Sequence, residues 1–224
     1  MNWRCNMKAN KAFERVCNLI SEKYLDNGWK YSKSGHWMSK KDKNFIYKVL
    51  FYTSWNNISD KNVVFYGECA ILPLKSKDKI FHINTRQCNV PSGQLYWNIA
   101  NEEEWERTVN EFTNWLNSVF MPIVERCTND LNNFVKEVVE RGFYPQKGYM
   151  VDINFILTHG SRELAEEAIK RYYDSLEESI KKEFKDNYES MVCGNEAVSA
   201  YGNNMMRNYT NFRTIIDNKI IVTL

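Results

Sequence analysis

Phe45-Ile46-Tyr47-Lys48-Val49-Leu50-Phe51-Tyr52-Thr53-Ser54-Trp55 is the stretch on which the fold turns. Phe45, Tyr47, Val49, Phe51, Thr53 and Trp55 recur at every second residue, the spacing at which a strand places side chains on one face. Lys48, Tyr52 and Ser54 make the opposite parity more polar, so one side of this strand is expected to be buried and the other partly exposed. Just upstream, Trp29-Lys30-Tyr31-Ser32 and His36-Trp37-Met38-Ser39 flank Ser34-Gly35, which reads as a tight hairpin turn. Downstream, Asn56 to Asp60 turns the chain and Val63 to Leu72 supplies a further strand. The block is an antiparallel meander. Before it, Phe13, Val16, Cys17, Ile20 and Tyr24 fall at helical spacing, with Asn27-Gly28 as the stop signal.

Beyond the sheet, Lys75 to Gln94 reads as a loop-rich connection holding a Phe81-His82-Ile83 segment. Asn101 is an expected N-cap, and Glu102, Glu103 and Glu104 suit the positive start of a helix. Trp105, Val109, Phe112, Leu116, Val119, Phe120 and Ile123 form the apolar stripe of that helix, which Pro122 should kink or interrupt. A further helix runs from Leu131 to Glu140 and stops at Arg141-Gly142. Ser161 is expected to cap a helix carrying Leu164, Ala165, Ala168, Ile169, Tyr172, Leu176, Ile180 and Phe184. The tail from Ile220 to Leu224 suits an edge strand or docking on a helix. The fold class is therefore α+β: an antiparallel meander packed by helices, with a mostly helical C-terminal portion. Pro145 and the glycines between Gly142 and Gly148 divide the chain into an α+β domain at 1–145 and a helical portion at 146–224, which a single domain could also contain.

Composition narrows the function classes. Hydrophobic residues at 43% support a packed core, and aromatics at 14% are enough to leave rings for a partner as well. Thirty basic residues against 28 acidic ones argue against a dedicated electrostatic DNA binder. Met1 to Asn10 lacks the apolar run of a secretion signal, and no apolar stretch is long enough to span a bilayer. Cys5, Cys17, Cys69, Cys88, Cys127 and Cys193 are scattered with no C-x-x-C pair, so reduced thiols in a cytoplasm are expected.

A helix ending in Asp26-Asn27-Gly28-Trp29 leads into Ser32-Lys33-Ser34-Gly35-His36-Trp37 and then the aromatic strand from Phe45 to Tyr52. Trp115-Leu116 later precedes Met121-Pro122 and the Leu131-to-Gly142 helix. This order resembles a bacterial domain-of-unknown-function family, number 4304 in that series, over about the first two-thirds of the chain. The sequence departs from the family in the longer Asn56 to Lys61 turn, the Lys75 to Gln94 connection and the helical C-terminal third. The resemblance implies a fold class and carries over no active site.

Three histidines, His36, His82 and His159, lie at no metal-ligand spacing, so no metal or cofactor is expected. His159 in Thr158-His159-Gly160-Ser161 could stand at a helix N-terminus, although a loop residue before a cap is the simpler reading. Cys17 and Cys69 fall on buried faces, and adjacent glutamates on a helix do not converge, so neither supplies a catalytic group. Basic and aromatic residues coincide in the hairpin: Tyr31, Lys33, His36, Trp37, Lys40, Lys41 and Lys43 are the candidate binding residues, with Trp29, Lys30, Phe45, Tyr47 and Lys48 around them. Rings could stack bases while lysines follow phosphates, or the lysines could simply protect a sheet edge. The expectation is a non-catalytic binding protein of bacterial or phage origin that binds and inhibits a protein partner, such as a toxin or a defence-system protein. A nucleic-acid-binding module is the alternative, and an enzyme without a recognisable motif the third; no membrane partner is expected. Elemental analysis of the purified protein should find no stoichiometric transition metal. About one zinc per chain would overturn the reading.

Overall fold

The computed structural model describes residues 3–74, 79–86, 96–142, 150–194 and 205–222. They form two compact units, Met1–Thr128 and Asn129–Leu224. The sequence places its division at residue 145; the segment 143–149 lies outside the described residues.

In the first unit, α1 (Trp3–Glu22) and a 3₁₀ turn (Leu25–Asn27) precede β1 (Lys30–Ser32), β2 (Trp37–Lys41), β3 (Phe45–Thr53), β4 (Val64–Pro73), β5 (Phe81–Asn84) and β6 (Trp97–Asn98). The strands follow the order β1-β2-β3-β4-β5, all antiparallel, and β6 pairs with β4 beyond the end of β5. The α+β class and the meander are as the sequence implies. The Lys75 to Gln94 connection, read as a loop, contributes β5 because Phe81 and Ile83 supply two inward apolar positions opposite Ile71 and Cys69.

Strand parity separates two faces. Met38, Phe45, Tyr47, Val49, Phe51, Phe65, Cys69, Ile71 and Trp97 point inward and are buried. Val16, Cys17 and Ile20 of α1, and Val109, Phe112 and Trp115 of α2 (Glu103–Trp115), are buried in the same unit. Phe112 is the keystone. Its ring meets Phe51, Phe65 and Trp97 edge-on at centroid distances of 6.0, 5.2 and 5.6 Å. Gly67 leaves it room, since a Cβ built there would lie 2.4 Å from Phe112 Cζ.

Several local expectations are corrected. Trp55 does not extend the inner face of β3; it is 92% exposed. Alternation ends at Thr53 because the Asn57 side chain closes the connection, donating to Thr53 Oγ1 (2.6 Å) and accepting from the Val64 N–H (2.9 Å). The β1–β2 turn spans 33–36, and its positive φ of 51° falls on His36, not on Gly35. Gly35 instead gives the Trp37 indole space, a Cβ there meeting Trp37 Nε1 at 2.2 Å. Asn101 is not the cap of α2: Glu102 occupies that position with helical backbone angles and no side chain caps it. In the expected stripe, Trp105, Val119 and Ile123 are only half-buried, and Trp115 takes a core position. Val119 and Ile123 are displaced by a π-helical segment, Leu116–Phe120, in which the Met121 N–H donates to Leu116 O. Pro122, near the start of α3 (Met121–Asn129), has no N–H to offer the preceding turn and crowds it. The wider turn relieves that crowding and keeps Leu116 and Phe120 both buried.

The second unit is helical among its described residues: α4 (Leu131–Arg141), α5 (Ile153–His159), α6 (Arg162–Asp174), α7 (Glu178–Val192) and α8 (Met205–Asp217). Ser161 caps α6 as expected, accepting from the Leu164 N–H at 3.2 Å. The helix does not continue to Phe184. The Ser175 hydroxyl donates to Tyr172 O (2.7 Å), and Glu177 is extended, so α7 starts anew and folds Phe184 onto Phe212 at 4.8 Å. His159 lies in the last turn of α5, not at a helix N-terminus. Asn211, buried on α8, fixes the start of α5 by donating to Val151 O (3.0 Å) and accepting from the Ile153 N–H (2.9 Å). Ile220 is buried and adopts no strand.

Phe112→Ala should cost about 3–5 kcal/mol, because a buried aromatic leaves a cavity that its neighbours cannot fill. Gly67→Ala should cost about 1–3 kcal/mol by overpacking the same contact from the other side. Denaturant titration of each variant measures both; an unchanged midpoint for either would remove Phe112 from the centre of the core.

Candidate binding face

The pleat sorts the hairpin residues by parity. Trp29, Phe45 and Tyr47 are buried and belong to the core. Tyr31 is paired with Met38 on the inner side, where its ring meets Phe51 at 6.3 Å. His36 lies 5.0 Å from the Phe13 ring of α1. Lys40 stands opposite Tyr47 at the inner parity, Lys33 reaches Glu14 of α1 at 3.5 Å, and Lys43 is exposed in the β2–β3 turn. Asp42 organises that turn, accepting from the Asn44 and Phe45 N–H groups at 2.7 Å each and from the Tyr47 hydroxyl at 2.5 Å. Burial foremost, with the Asp42 contact next, pushes the Tyr47 hydroxyl far above its ordinary range. Only Trp37 and Lys41 of the candidate set share the outer face.

That outer face has its own order. One row across it is Ser32, Trp37, Leu50, Glu68 and Asn84; the next is Lys30, Ser39, Lys48, Ala70 and His82. Lys41, Ile46 and Leu72 form a third row, and Tyr52 opposite Tyr66 a fourth. Lys48 Nζ lies 5.5 Å from the Trp37 ring centroid. Tyr52 and Tyr66 stack at 5.3 Å and 19°, and the Arg86 guanidinium sits 4.9 Å from Tyr66. Asn84 positions Arg86 by accepting its backbone N–H at 2.7 Å. Past the end of β3, Trp55 and Ile58 stand exposed on the connection to β4.

Glu68 is the carboxylate at the centre. Lys79 Nζ and His82 Nε2 approach its Oε1 at 2.7 and 3.0 Å. Burial alone would raise its pKa, but hydrogen bonds from His82 and Lys79 outweigh burial and hold it below the ordinary carboxylate value. Among the described residues the face thus sets Lys30, Lys41, Lys48, Lys79 and Arg86 against one neutralised carboxylate. The sequence reading missed Tyr66, Glu68, Lys79 and Arg86. The available signal was Tyr66 and Glu68, two polar-parity residues inside the otherwise apolar Val63 to Leu72 run.

Other constellations carry less. Glu102 and Glu103 line a cleft of about 700 Å³ with Lys11, Asp60, Asn101 and Trp105. Those exposed charges are of both signs, and Glu104 pairs with Arg107 at 2.6 Å. Cys17 and Cys127 are buried thiols; burial is the main cause that raises both, Cys127 up to about 12. A thiolate nucleophile is disfavoured at either. No group of three or more His, Cys, Asp or Glu among the described residues could hold a metal ion. No described helix is long and apolar enough to cross a membrane. No family model, curated protein or solved structure matches the chain.

Glu68→Gln should lower stability at neutral pH by about 1–3 kcal/mol, the scale for a hydrogen bond to a buried charged group. A depressed carboxylate pKa contributes stability above the unfolded-state value and loses it as pH falls through the folded value. The difference between wild type and variant should therefore close in acid. Denaturant midpoints measured from neutral to acidic pH check this, and a gap that stays constant would separate Glu68 from the pH dependence.

Proposed function

We propose that this chain is a non-catalytic binding protein that acts by occupying a macromolecular partner, with the outer face of the first unit's sheet as its contact surface. One observation carries this reading. The inner parity is buried from Phe45 to Phe51 on β3 and from Phe65 to Ile71 on β4, whereas the outer parity keeps Trp37, Tyr52 and Tyr66 half-exposed beside cations. Partner surfaces favour Trp, Tyr and Arg because these bury much area for few rotatable bonds. Trp55 and Ile58, on the connection after β3, are exposed as well.

A bacterial or phage origin and an inhibitory role, expected from the sequence, belong to the same proposal. The likeness to domain-of-unknown-function family 4304 belongs to this proposal and rests on the sequence pattern alone. The thiols of Cys17, Cys127 and Cys193, none of them in a disulfide, support a reducing, cytoplasmic setting.

A Trp37→Ala/Tyr66→Ala double variant should keep its helix and sheet signature, since both side chains lie on the half-exposed face. It should lose at least tenfold in recovery of whatever macromolecule the wild type enriches from an extract of its own cell. Quantitative capture with mass spectrometry and nucleic-acid sequencing reads the result. Equal enrichment by the folded variant would dismiss the face.

A further inference from the structure

We infer that the macromolecule held by this face is a single-stranded nucleic acid; the inference rests on the binding reading above and names its partner. The first ground is charge. Among the described residues Lys30, Lys41, Lys48 and Arg86 stand on the face beside a single carboxylate, Glu68, which is itself paired with Lys79 and His82. The chain as a whole carries only +2, so this clustering of cations is not what the overall charge would require.

The second ground is the pairing of ring and cation. Lys48 lies over Trp37, and Arg86 lies over Tyr66, which itself stacks on Tyr52. A nucleotide matches such a pair with both its parts: the base takes the ring, and the cation swings to the phosphate. Trp37 and Tyr52 are diagonal neighbours on adjacent strands, about 7–8 Å apart at that spacing, which suits successive bases of an extended strand. Trp55, three residues after Tyr52 in the chain, is 92% exposed, so its ring is open to solvent.

The third ground separates this partner from a protein. The centre of a protein interface is depleted in charge, and lysine in particular is avoided there. Here Lys48 on β3 and Glu68 on β4 stand among the half-buried Ile46, Leu50 and Leu72 of the middle strands, and Glu68 is tied to Lys79 and to His82 on the edge strand β5, so charge runs through the centre of the face. A sheet face with paired rings and cations also suits unpaired bases better than a duplex, whose bases are stacked on one another and cannot reach the rings.

The test uses the full chain and labelled fifteen-residue oligo-dT and oligo-U, with a duplex of equal length and poly-L-glutamate as competitors. Anisotropy titrations run at about 50 and 200 mM salt, the range over which phosphate contacts weaken. Both oligonucleotides should bind, more tightly than the duplex, and poly-L-glutamate should compete poorly. Trp37→Ala, Tyr66→Ala and Trp55→Ala should each weaken binding roughly tenfold, whereas Trp37→Phe and Tyr66→Phe should retain it. Lys48→Glu and Arg86→Glu should each flatten the slope of log affinity against log salt by about 0.7. Lys182→Glu, on α7 in the second unit, should change nothing. Because Trp55 is exposed, its variant separates lost binding from lost folding. No oligonucleotide binding at low salt would overturn the inference, as would equal binding of the duplex, full competition by poly-L-glutamate, or indifference to all three ring deletions. If the wild type then still enriches a protein that Trp37→Ala/Tyr66→Ala loses, the binding face stands and only its partner changes.

Discussion

The contact of Phe112 with Gly67 is the constraint on which the first unit depends. A ring of that size can enter only because β4 presents no side chain at the point of entry. Phe51, Phe65 and Trp97 then surround it from β3, β4 and β6. One residue thereby fixes the height of α2 above the sheet and the register of the strands beneath it. A one-residue slip of β4 would put Tyr66 or Glu68 under the ring and turn Phe65 and Cys69 outward. Trp97 is held in turn by its indole N–H, which donates to Glu111 on the same helix at 2.7 Å.

The outer face follows from that register. Burying Phe45, Tyr47, Val49 and Phe51 commits Lys48, Leu50 and Tyr52 to the other side, and the β4 pairing brings Tyr66 opposite Tyr52 and Glu68 opposite Leu50. The proposed binding surface is therefore a by-product of core packing in its geometry, although not in its composition. Nothing in the core requires Trp37, Tyr66 or Arg86. Their presence as ring and cation pairs, around a carboxylate paired with Lys79 and His82, is the feature on which the proposed binding rests.

The helical unit shows how local competition shapes longer-range packing. The Ser175 hydroxyl takes a carbonyl at the end of α6, and the resulting break lets Phe184 meet Tyr172, Tyr173 and Phe212. Asn211 supplies a buried amide to backbone groups at the start of α5 that would otherwise lack partners there.

The sequence by itself determined the α+β class, the meander from Trp29 to Leu72, the helix that Ser161 caps and the stop at Gly142. Each rests on short-range physics: period-two alternation, a hydroxyl reaching the next turn, a glycine free to turn left-handed. It also marked the hairpin as basic and aromatic. Only the tertiary structure decided which of those residues share a surface. Strand parity sent Tyr31, His36 and Lys40 inward and left Trp37 and Lys41 outside, because one side of a two-faced sheet must meet the helices. Tyr66, Glu68, Lys79, His82 and Arg86 joined Trp37 through pairings between strands far apart in the chain. Such pairings are set by which apolar sets fit together, as Phe112 fits over Gly67, and no local pattern in this sequence records that fit.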